Sequence, residues 1–174
     1  MTPELSQRAS RIRLALFDVD GVMTDGTLFI SASGESYKPF NILDGLGLKL
    51  LQSSGVATGI LTGRASAAVE ARAAELTIDH CIMGADNKLQ AYSDLRMRLG
   101  LEDAEVCYMG DDLPDLPVLR RCGLALSPPG AVAQIREQVH FVTRTGAGKG
   151  AVREACELIM QAQGTWEAQV RGYF

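Results

Sequence analysis

The chain has 174 residues, 47% of them hydrophobic, and its 17 basic and 21 acidic residues give a formal net charge of −4. This length is enough for one buried core, and we expect residues 1–174 to form a single domain. The acidic balance and the lack of a Lys/Arg cluster argue against nucleic acid as a partner. Because no stretch approaches the roughly 18 to 20 apolar residues of a membrane span, and no apolar leader pattern is present, we expect a cytoplasmic protein without a membrane partner.

The first strand pattern ends in two acids. The apolar residues Leu14 to Phe17 lead directly to Asp18 and Asp20, and Gly21 follows. In an open α/β sheet, ligands bind outside the carboxyl ends of the strands. The pattern is compatible with a structural turn closed by glycine, and equally with a catalytic pair in which one carboxylate attacks while the other moves protons.

Two strand-like runs follow, and they flank the turn cluster Ser31-Ala32-Ser33-Gly34. They predict a β-hairpin over residues 27–40 that projects from the sheet edge beside the acids. A helix then runs to about residue 54, with Asp44 as its predicted N-cap and Gly55 at its end.

Strand and helix patterns alternate through the rest of the chain. Strand-like runs occupy residues 56–61, 78–82, 104–109, 123–126 and 139–142, and helical patterns occupy residues 66–76, 87–99 and 151–163, with two shorter helices between. This alternation predicts an α/β fold with a Rossmann-like doubly wound parallel sheet and helices on both faces. Beyond the last helix, residues 164–174 form a C-terminal arm with Trp166, Tyr173 and Phe174, and we infer that this arm docks, with another subunit as one candidate surface.

The chain contains four cysteines. They are widely spaced and form no Cys-x-x-Cys pair, and Cys81 and Cys107 lie within apolar runs. We therefore expect free thiols rather than a disulfide framework or a zinc site.

Polar groups follow four of the predicted strands. They are Asp18 with Asp20, Thr62-Gly63-Arg64, Asn87-Lys88, and Asp111-Asp112-x-x-Asp115. In a parallel sheet these segments converge at one rim, where the acids would repel one another unless a hard cation such as Mg²⁺ lies among them. A phosphoryl group would find the Thr62 hydroxyl and the Lys88 ammonium there.

Taken singly, Thr62, Lys88 and Asp115 are also compatible with capping and surface roles, and the argument for a site depends on their fixed order. In that order the four segments resemble the motifs of the haloacid dehalogenase superfamily of phosphatases, and the hairpin without a large cap resembles its capless subclass. A signalling receiver domain also combines acids, Thr and Lys, but it places the acceptor Asp on a later strand than this chain does.

The resemblance implies a set of roles at the rim. Asp18 would be the nucleophile, and Asp20 the general acid and base. Thr62 and Lys88 would bind the phosphoryl group as the other catalytic residues. Mg²⁺ would be held by Asp18, by the Asp20 backbone carbonyl and by Asp111.

The resemblance also implies supporting roles for Asp112 and Asp115, of which Asp115 would orient Lys88. We also predict substrate contacts from Arg64, Arg72, Gly63 and Asp44. Arg64 and Arg72 are eight residues apart in one predicted helix, roughly 80° apart around its axis, so both could reach a substrate carboxylate, and Arg72 is equally compatible with a solvated surface position. The resemblance implies a homotetramer in which a neighbouring hairpin or arm covers each site.

Within the subclass, the chain is similar to phosphatases of sugar acid phosphates. This similarity implies Mg²⁺-dependent hydrolysis of 3-deoxy-D-manno-octulosonate 8-phosphate through an aspartyl-phosphate, in lipopolysaccharide synthesis. Two alternatives stay open, a phosphatase of a nine-carbon sugar acid phosphate and a non-catalytic assembly module of sugar-nucleotide synthesis, because specificity rests on contacts that one sequence does not reveal.

Overall fold

The structure is a computed structural model that describes residues 1–32 and 34–173. Ser33 of the predicted hairpin turn and Phe174 of the predicted arm lie outside the described residues. The described strands are, in chain order, β1 (Leu14–Phe17), β2 (Phe29–Ser31), β3 (Gly34–Tyr37), β4 (Ala57–Leu61), β5 (His80–Ile82), β6 (Val106–Met109), β7 (Leu124–Ser127) and β8 (Phe141–Val142).

The described helices connect these strands. In chain order they are α1 (Pro3–Ala9), α2 (Ile42–Ser53), α3 (Ala67–Glu75), α4 (Lys88–Arg98), α5 (Leu116–Leu119), α6 (Ala133–Arg136), α7 (Ala151–Ala162) and α8 (Trp166–Val170). None of the helices in the described part of the chain combines the length and the hydropathy needed to cross a membrane.

Within the described residues, six strands form one sheet in the order β5-β4-β1-β6-β7-β8, and every neighbouring pair is parallel. The chain runs outward from β1 through β4 to β5 and then returns to β6 on the other side of β1. The winding direction therefore reverses between β1 and β6, and the crevice outside their carboxyl ends is the place where such sheets bind ligands.

Both faces of the sheet are covered. Leu14 and Leu16 of β1 belong to one hydrophobic cluster, which includes residues of α4, α5 and α6, whereas Ala15 and Phe17 belong to a second cluster with residues of α2, α3 and α7. The division follows from the strand itself, because successive side chains point to opposite faces. The predicted doubly wound α/β fold is confirmed.

The predicted hairpin is formed by β2 and β3. The two strands are antiparallel, and the rings of Phe29 and Tyr37 stack with their centroids 4.4 Å apart. Among the described residues, the connection from β1 to α2 carries this hairpin and no larger insertion.

The start of α2 differs from the prediction. Asn41 is the N-cap, and its side chain accepts a hydrogen bond from the Leu43 N–H at 2.8 Å. Asp44 lies in the first turn, and its Oδ1 instead accepts the Arg153 N–H at 2.9 Å, at the beginning of α7. The prediction of Asp44 as the N-cap was wrong because a contact across 109 residues engages its carboxylate.

The C-terminal arm docks on its own chain. Trp166 begins α8, and the Arg153 guanidinium lies 5.4 Å from the centroid of its ring. Arg153 and Trp166 line an apolar groove together with Leu46 and Leu50 of α2. Tyr173 lies at the edge of this groove and is 67% exposed.

Candidate active site

Asp18 is held in a sharp change of chain direction directly after β1. Its backbone N–H donates to the Met109 carbonyl at 3.0 Å, and its Oδ1 accepts the N–H of Val19 at 2.7 Å. The following turn spans Val19–Met23, and the Thr24 N–H closes it by donating to the Val19 carbonyl at 3.0 Å. The turn leaves Asp18 buried at the rim and directs the chain away from the strand.

Gly21 is the residue that permits this turn to lie against the last acidic loop. It has a φ of +82°, and a Cβ built on it would overlap the Asp111 carboxylate. A residue with a side chain would be strained by the backbone angle and would also displace Asp111. The glycine therefore brings the Asp18 loop and Asp111 together.

Lys88 begins α4 and is buried at the base of the same pocket. Its Nζ lies 2.7 Å from Asp18 Oδ2 and 2.6 Å from Asp115 Oδ1. A buried ammonium is stable only with such anionic partners, and the two aspartates raise the pKa of Lys88 while burial opposes them. The cation lies between the first and the last acidic motifs.

The carboxylate of Asp115 is fully engaged by donors. Its Oδ1 accepts hydrogen bonds from Tyr108 Oη and Lys88 Nζ, both at 2.6 Å. Its Oδ2 accepts the backbone N–H groups of Asp111 at 2.9 Å and of Asp112 at 3.2 Å. Tyr108 has no place among the sequence predictions, because it reads as an ordinary residue of a buried apolar strand.

The pKa values of the acids rise together in this pocket. Burial raises the pKa of Asp18 to about 6; the nearby charge of Asp115 adds to this rise, while Lys88 opposes it. Burial raises the pKa of Asp111 to about 7, and the charges of Asp115 and Asp18 contribute. Asp18 and Asp111 are therefore carboxylates that lack sufficient positive charge from the protein alone.

The donor set fits a magnesium ion. Carboxylate oxygens of Asp18, Asp111 and Asp115 lie within 4.8 Å of one another. The oxygens of Asp115 are already used by four hydrogen bonds, so Asp18 and Asp111 are the side chains with capacity for a metal. Hard oxygen ligands with excess negative charge are what Mg²⁺ prefers, and a divalent cation would reverse the rise in their pKa values.

Asp20 lies beside these groups with two cations close to it. Its Oδ1 accepts a hydrogen bond from Lys38 Nζ at 2.5 Å, and its Oδ2 lies 3.6 Å from Arg64 Nε. Lys38 was missed at the level of the sequence, where it reads as one polar residue at the end of a hairpin strand. No sequence pattern links it to an acid 18 residues earlier.

Thr62 follows β4, as its position in the sequence predicts. Its hydroxyl is buried and accepts the Arg64 N–H at 3.5 Å, and its backbone N–H donates to the Ile82 carbonyl of β5. A pocket of about 360 Å³ opens at this rim, and every predicted site residue except Arg72 and Asp44 lines it.

Arg72 and Asp44 are engaged elsewhere in the chain. The Arg72 guanidinium pairs with Glu75 at 2.7 Å, donates to the Asn41 carbonyl at 3.2 Å and lies over the Phe40 ring. Asp44 accepts hydrogen bonds at the start of α7, and burial raises its pKa. The structure does not bring either residue to the pocket of its own chain, so a substrate contact from them stays a prediction that needs a neighbouring subunit.

The glycine-rich turn before α7 supports the Asp18 loop from behind. The Gly148 N–H donates to the Val22 carbonyl at 3.1 Å, and the Gly148 carbonyl accepts a hydrogen bond from the Asn41 side chain at 3.0 Å. Gly148 has a φ of +63°, and a Cβ there would come within 2.8 Å of the Thr24 backbone. The start of α7 is thus fixed directly to the loop that carries the acids.

Known proteins are similar to this chain in sequence and in fold. A family model of haloacid dehalogenase-like hydrolases matches residues 35–123. The 3-deoxy-D-manno-octulosonate 8-phosphate phosphatase KdsC of Escherichia coli K12 is 40% identical over 164 residues, which are 94% of this chain and 87% of that protein.

Solved structures agree over essentially the whole chain. The 3-deoxy-D-manno-octulosonate 8-phosphate phosphatase of Moraxella catarrhalis, in complex with magnesium ion, phosphate ion and a KDO molecule, has a TM-score of 0.96 at 42% identity and covers 100% of both chains. A probable yrbi family phosphatase of Pseudomonas syringae pv. phaseolica has a TM-score of 0.96 at 48% identity, covering 99% of this chain and 98% of that one. The chain belongs to the haloacid dehalogenase-like hydrolases.

Proposed function

We propose that this chain is a Mg²⁺-dependent phosphomonoesterase that hydrolyses 3-deoxy-D-manno-octulosonate 8-phosphate to the free sugar acid and phosphate, in lipopolysaccharide synthesis. The observation that carries the proposal is the pairing of Asp18 with a buried Lys88 at 2.7 Å, in a pocket that also holds Asp111. The similarity to KdsC over 94% of the chain supports the choice of substrate.

In the proposed reaction, Asp18 attacks the phosphorus atom of the ester. A bond forms between its carboxylate oxygen and phosphorus while the bond from phosphorus to the sugar oxygen breaks, and Asp20 gives its proton to that oxygen. Asp20 then takes a proton from a water molecule that attacks the aspartyl-phosphate. Inorganic phosphate leaves, and Asp18 is restored.

The surrounding residues balance charge during this transfer. Lys88 and the Thr62 hydroxyl donate hydrogen bonds to the phosphoryl oxygens, and Asp115 keeps Lys88 oriented. Asp18, the Asp20 backbone carbonyl and Asp111 would hold Mg²⁺, which supplies positive charge beside the phosphoryl oxygens when it is bound. The role of Lys88 is supported by its burial, since its side chain is only 6% exposed, and by its contacts with Asp18 and Asp115 from the start of α4.

Substrate recognition is assigned to the mouth of the pocket. The side chain of Arg64 is 50% exposed there, and we assign it to the carboxylate of the sugar acid, because a guanidinium pairs with a carboxylate through two parallel hydrogen bonds. Gly63 lines the same mouth and leaves room for the sugar.

The proposal includes a homotetramer in the cytoplasm. The hairpin and the start of α2 expose several apolar side chains, namely Leu28, Ile30, Tyr37, Ile42 and Leu43. Such a patch supports association between copies. The four free cysteines support a reducing compartment. A monomeric mass in light scattering would contradict the tetramer.

The test is phosphate release, with and without Mg²⁺, from the octulosonate ester, from a nine-carbon sugar acid phosphate and from p-nitrophenyl phosphate. We expect Mg²⁺-dependent release with a preference for the octulosonate ester, and a loss of at least about 1,000-fold in Asp18→Asn. Asp25→Asn is the matched control, because it removes an exposed acid of the same loop outside the pocket. Retained turnover in Asp18→Asn excludes Asp18 as nucleophile, and equal turnover of the two sugar acid esters excludes the proposed specificity.

A further inference from the structure

Lys38 is a buried cation that belongs to none of the four motifs. Its side chain is only 2% exposed, and its Nζ lies 2.5 Å from Asp20 Oδ1. Burying an ammonium group is unfavourable unless an anion lies beside it. The buried ammonium of Lys38 is therefore paired with an acid that lines the pocket, Asp20.

The two oxygens of Asp20 lie in different surroundings. Oδ1 is engaged by Lys38, whereas Oδ2 is buried and accepts no hydrogen bond among the described residues. Arg64 Nε lies 3.6 Å from Oδ2, which is beyond hydrogen-bond distance. Because a carboxylate is planar and rigid, fixing one oxygen also determines where the other lies.

The backbone at Lys38 is well held. Pro39 follows it and restricts the chain, and the Phe40 N–H donates to the Lys38 carbonyl at 3.1 Å. On the other side, Tyr37 stacks on Phe29 across the hairpin. The base of the hairpin thus delivers a fixed cation to the pocket of its own chain.

We propose that Lys38 is a positioning residue for phosphoryl transfer, holding Oδ1 of Asp20 so that Oδ2 is the oxygen that exchanges protons with the reactants. This inference rests on the proposed function. In the first step the proton on Oδ2 passes to the sugar oxygen as its bond to phosphorus breaks, and in the second step Oδ2 takes a proton from the attacking water. The ammonium of Lys38 transfers no proton and touches no reacting atom.

The experiment compares leaving groups, because an alkyl oxygen needs a proton to depart whereas p-nitrophenolate does not. Lys38→Met removes the charge and keeps an unbranched side chain. We expect it to lower kcat/KM about 10- to 100-fold for the octulosonate ester and for arabinose 5-phosphate, which has no carboxylate. For p-nitrophenyl phosphate we expect a loss of less than about threefold, since proton donation contributes little to that ester.

Two further variants separate positioning from other roles. Lys38→Arg keeps the cation and should restore the wild-type ratio of alkyl to aryl turnover. In an Asp20→Asn background, Lys38→Met should cause less than about a twofold further loss, because the oxygen that it positions no longer carries a proton. The ratio of two esters in one preparation does not depend on the folded fraction, so partial unfolding does not mimic the effect.

Each contrary result overturns the inference. Equal losses on all three esters indicate a structural role, and a loss confined to the octulosonate ester indicates that Lys38 binds the substrate carboxylate. If the wild type cleaves arabinose 5-phosphate and p-nitrophenyl phosphate but not the octulosonate ester, the proposed substrate fails while the comparison still decides the role of Lys38. If it cleaves none of them, both proposals fail.

Discussion

Tyr108→Phe removes a single oxygen atom and tests whether the core of the sheet supports the pocket. Tyr108 is fully buried on β6, and its hydroxyl donates to Asp115 Oδ1 at 2.6 Å, the same oxygen that accepts Lys88. Burial and the nearby charge of Asp115 raise the pKa of Tyr108 well above its usual range, so its hydroxyl stays a donor. The variant leaves Asp115 with three of its four donors.

The size of the effect follows from this contact. A hydrogen bond to a charged group contributes about 1.5 to 3 kcal/mol, so we expect a loss of roughly 2 kcal/mol in the free energy of unfolding. For a domain of this length that corresponds to a fall in Tm of about 4 to 8 °C. If about half of this energy is lost from transition-state stabilisation, because Lys88 is less well oriented, kcat falls about fivefold.

Tyr92→Phe is the matched control. Tyr92 is also fully buried, and its hydroxyl donates to Asp103 Oδ1 at 2.8 Å, away from the pocket. Asp103 is partly exposed and also pairs with Arg96 and Arg121, so water and these cations replace part of the lost bond. We expect a smaller fall in Tm and an unchanged kcat.

The assays are thermal unfolding and steady-state hydrolysis of p-nitrophenyl phosphate at saturating Mg²⁺. If Tyr108→Phe lowers Tm but leaves kcat at the level of Tyr92→Phe, the bond to Asp115 stabilises the fold without orienting Lys88, and the reasoning is refuted.

Three further outcomes are expected. Gly21→Ala should abolish most activity, because its Cβ overlaps the Asp111 carboxylate; Gly55→Ala, with a φ of +96° and open space around it, measures the backbone strain alone by the same assay. Mg²⁺ should raise Tm in a concentration-dependent way, and Asp111→Asn should remove most of that rise while Asp112→Asn should not. Burial, aided by a nearby arginine, lowers the pKa of His140 below 6.5, and its neutral Nδ1 accepts a backbone N–H of β7 at 2.9 Å. The stabilisation from neutral His140 is complete above pH 6.5, the ordinary pKa of histidine, and is lost as the pH falls through the lower pKa of the folded state. The advantage of the wild type over His140→Asn in the free energy of unfolding should therefore shrink between about pH 8 and about pH 5, as denaturant titrations would measure.

Most of the fold could be predicted because its signals are local. The apolar run before Asp18 and the polar segments after later strands are visible within a few residues, and parallel pairing brings the carboxyl ends together without further information. The same reasoning placed Thr62 and Lys88 at the rim where the structure has them.

The features that could not be predicted depend on distant contacts. Asp44 resembles a helix cap until Arg153 is seen to engage it, and Lys38 resembles a surface residue until the hairpin folds back on Asp20. Tyr108 reads as core in any strand pattern, because only the tertiary structure places its hydroxyl beneath Asp115. The short helix α1 was also missed, since seven residues carry little periodicity.

The bond from Gly148 to the Val22 carbonyl links two segments that lie far apart in the chain. Hydrogen exchange at the Gly148 amide requires this bond to break, so we expect movement of either the turn before α7 or the loop of Asp18 to expose that amide. We expect substitutions in α7 that shift this turn to loosen the loop of Asp18 without altering any group in the pocket. The C-terminal quarter of the chain thus helps to hold the loop that carries Asp18.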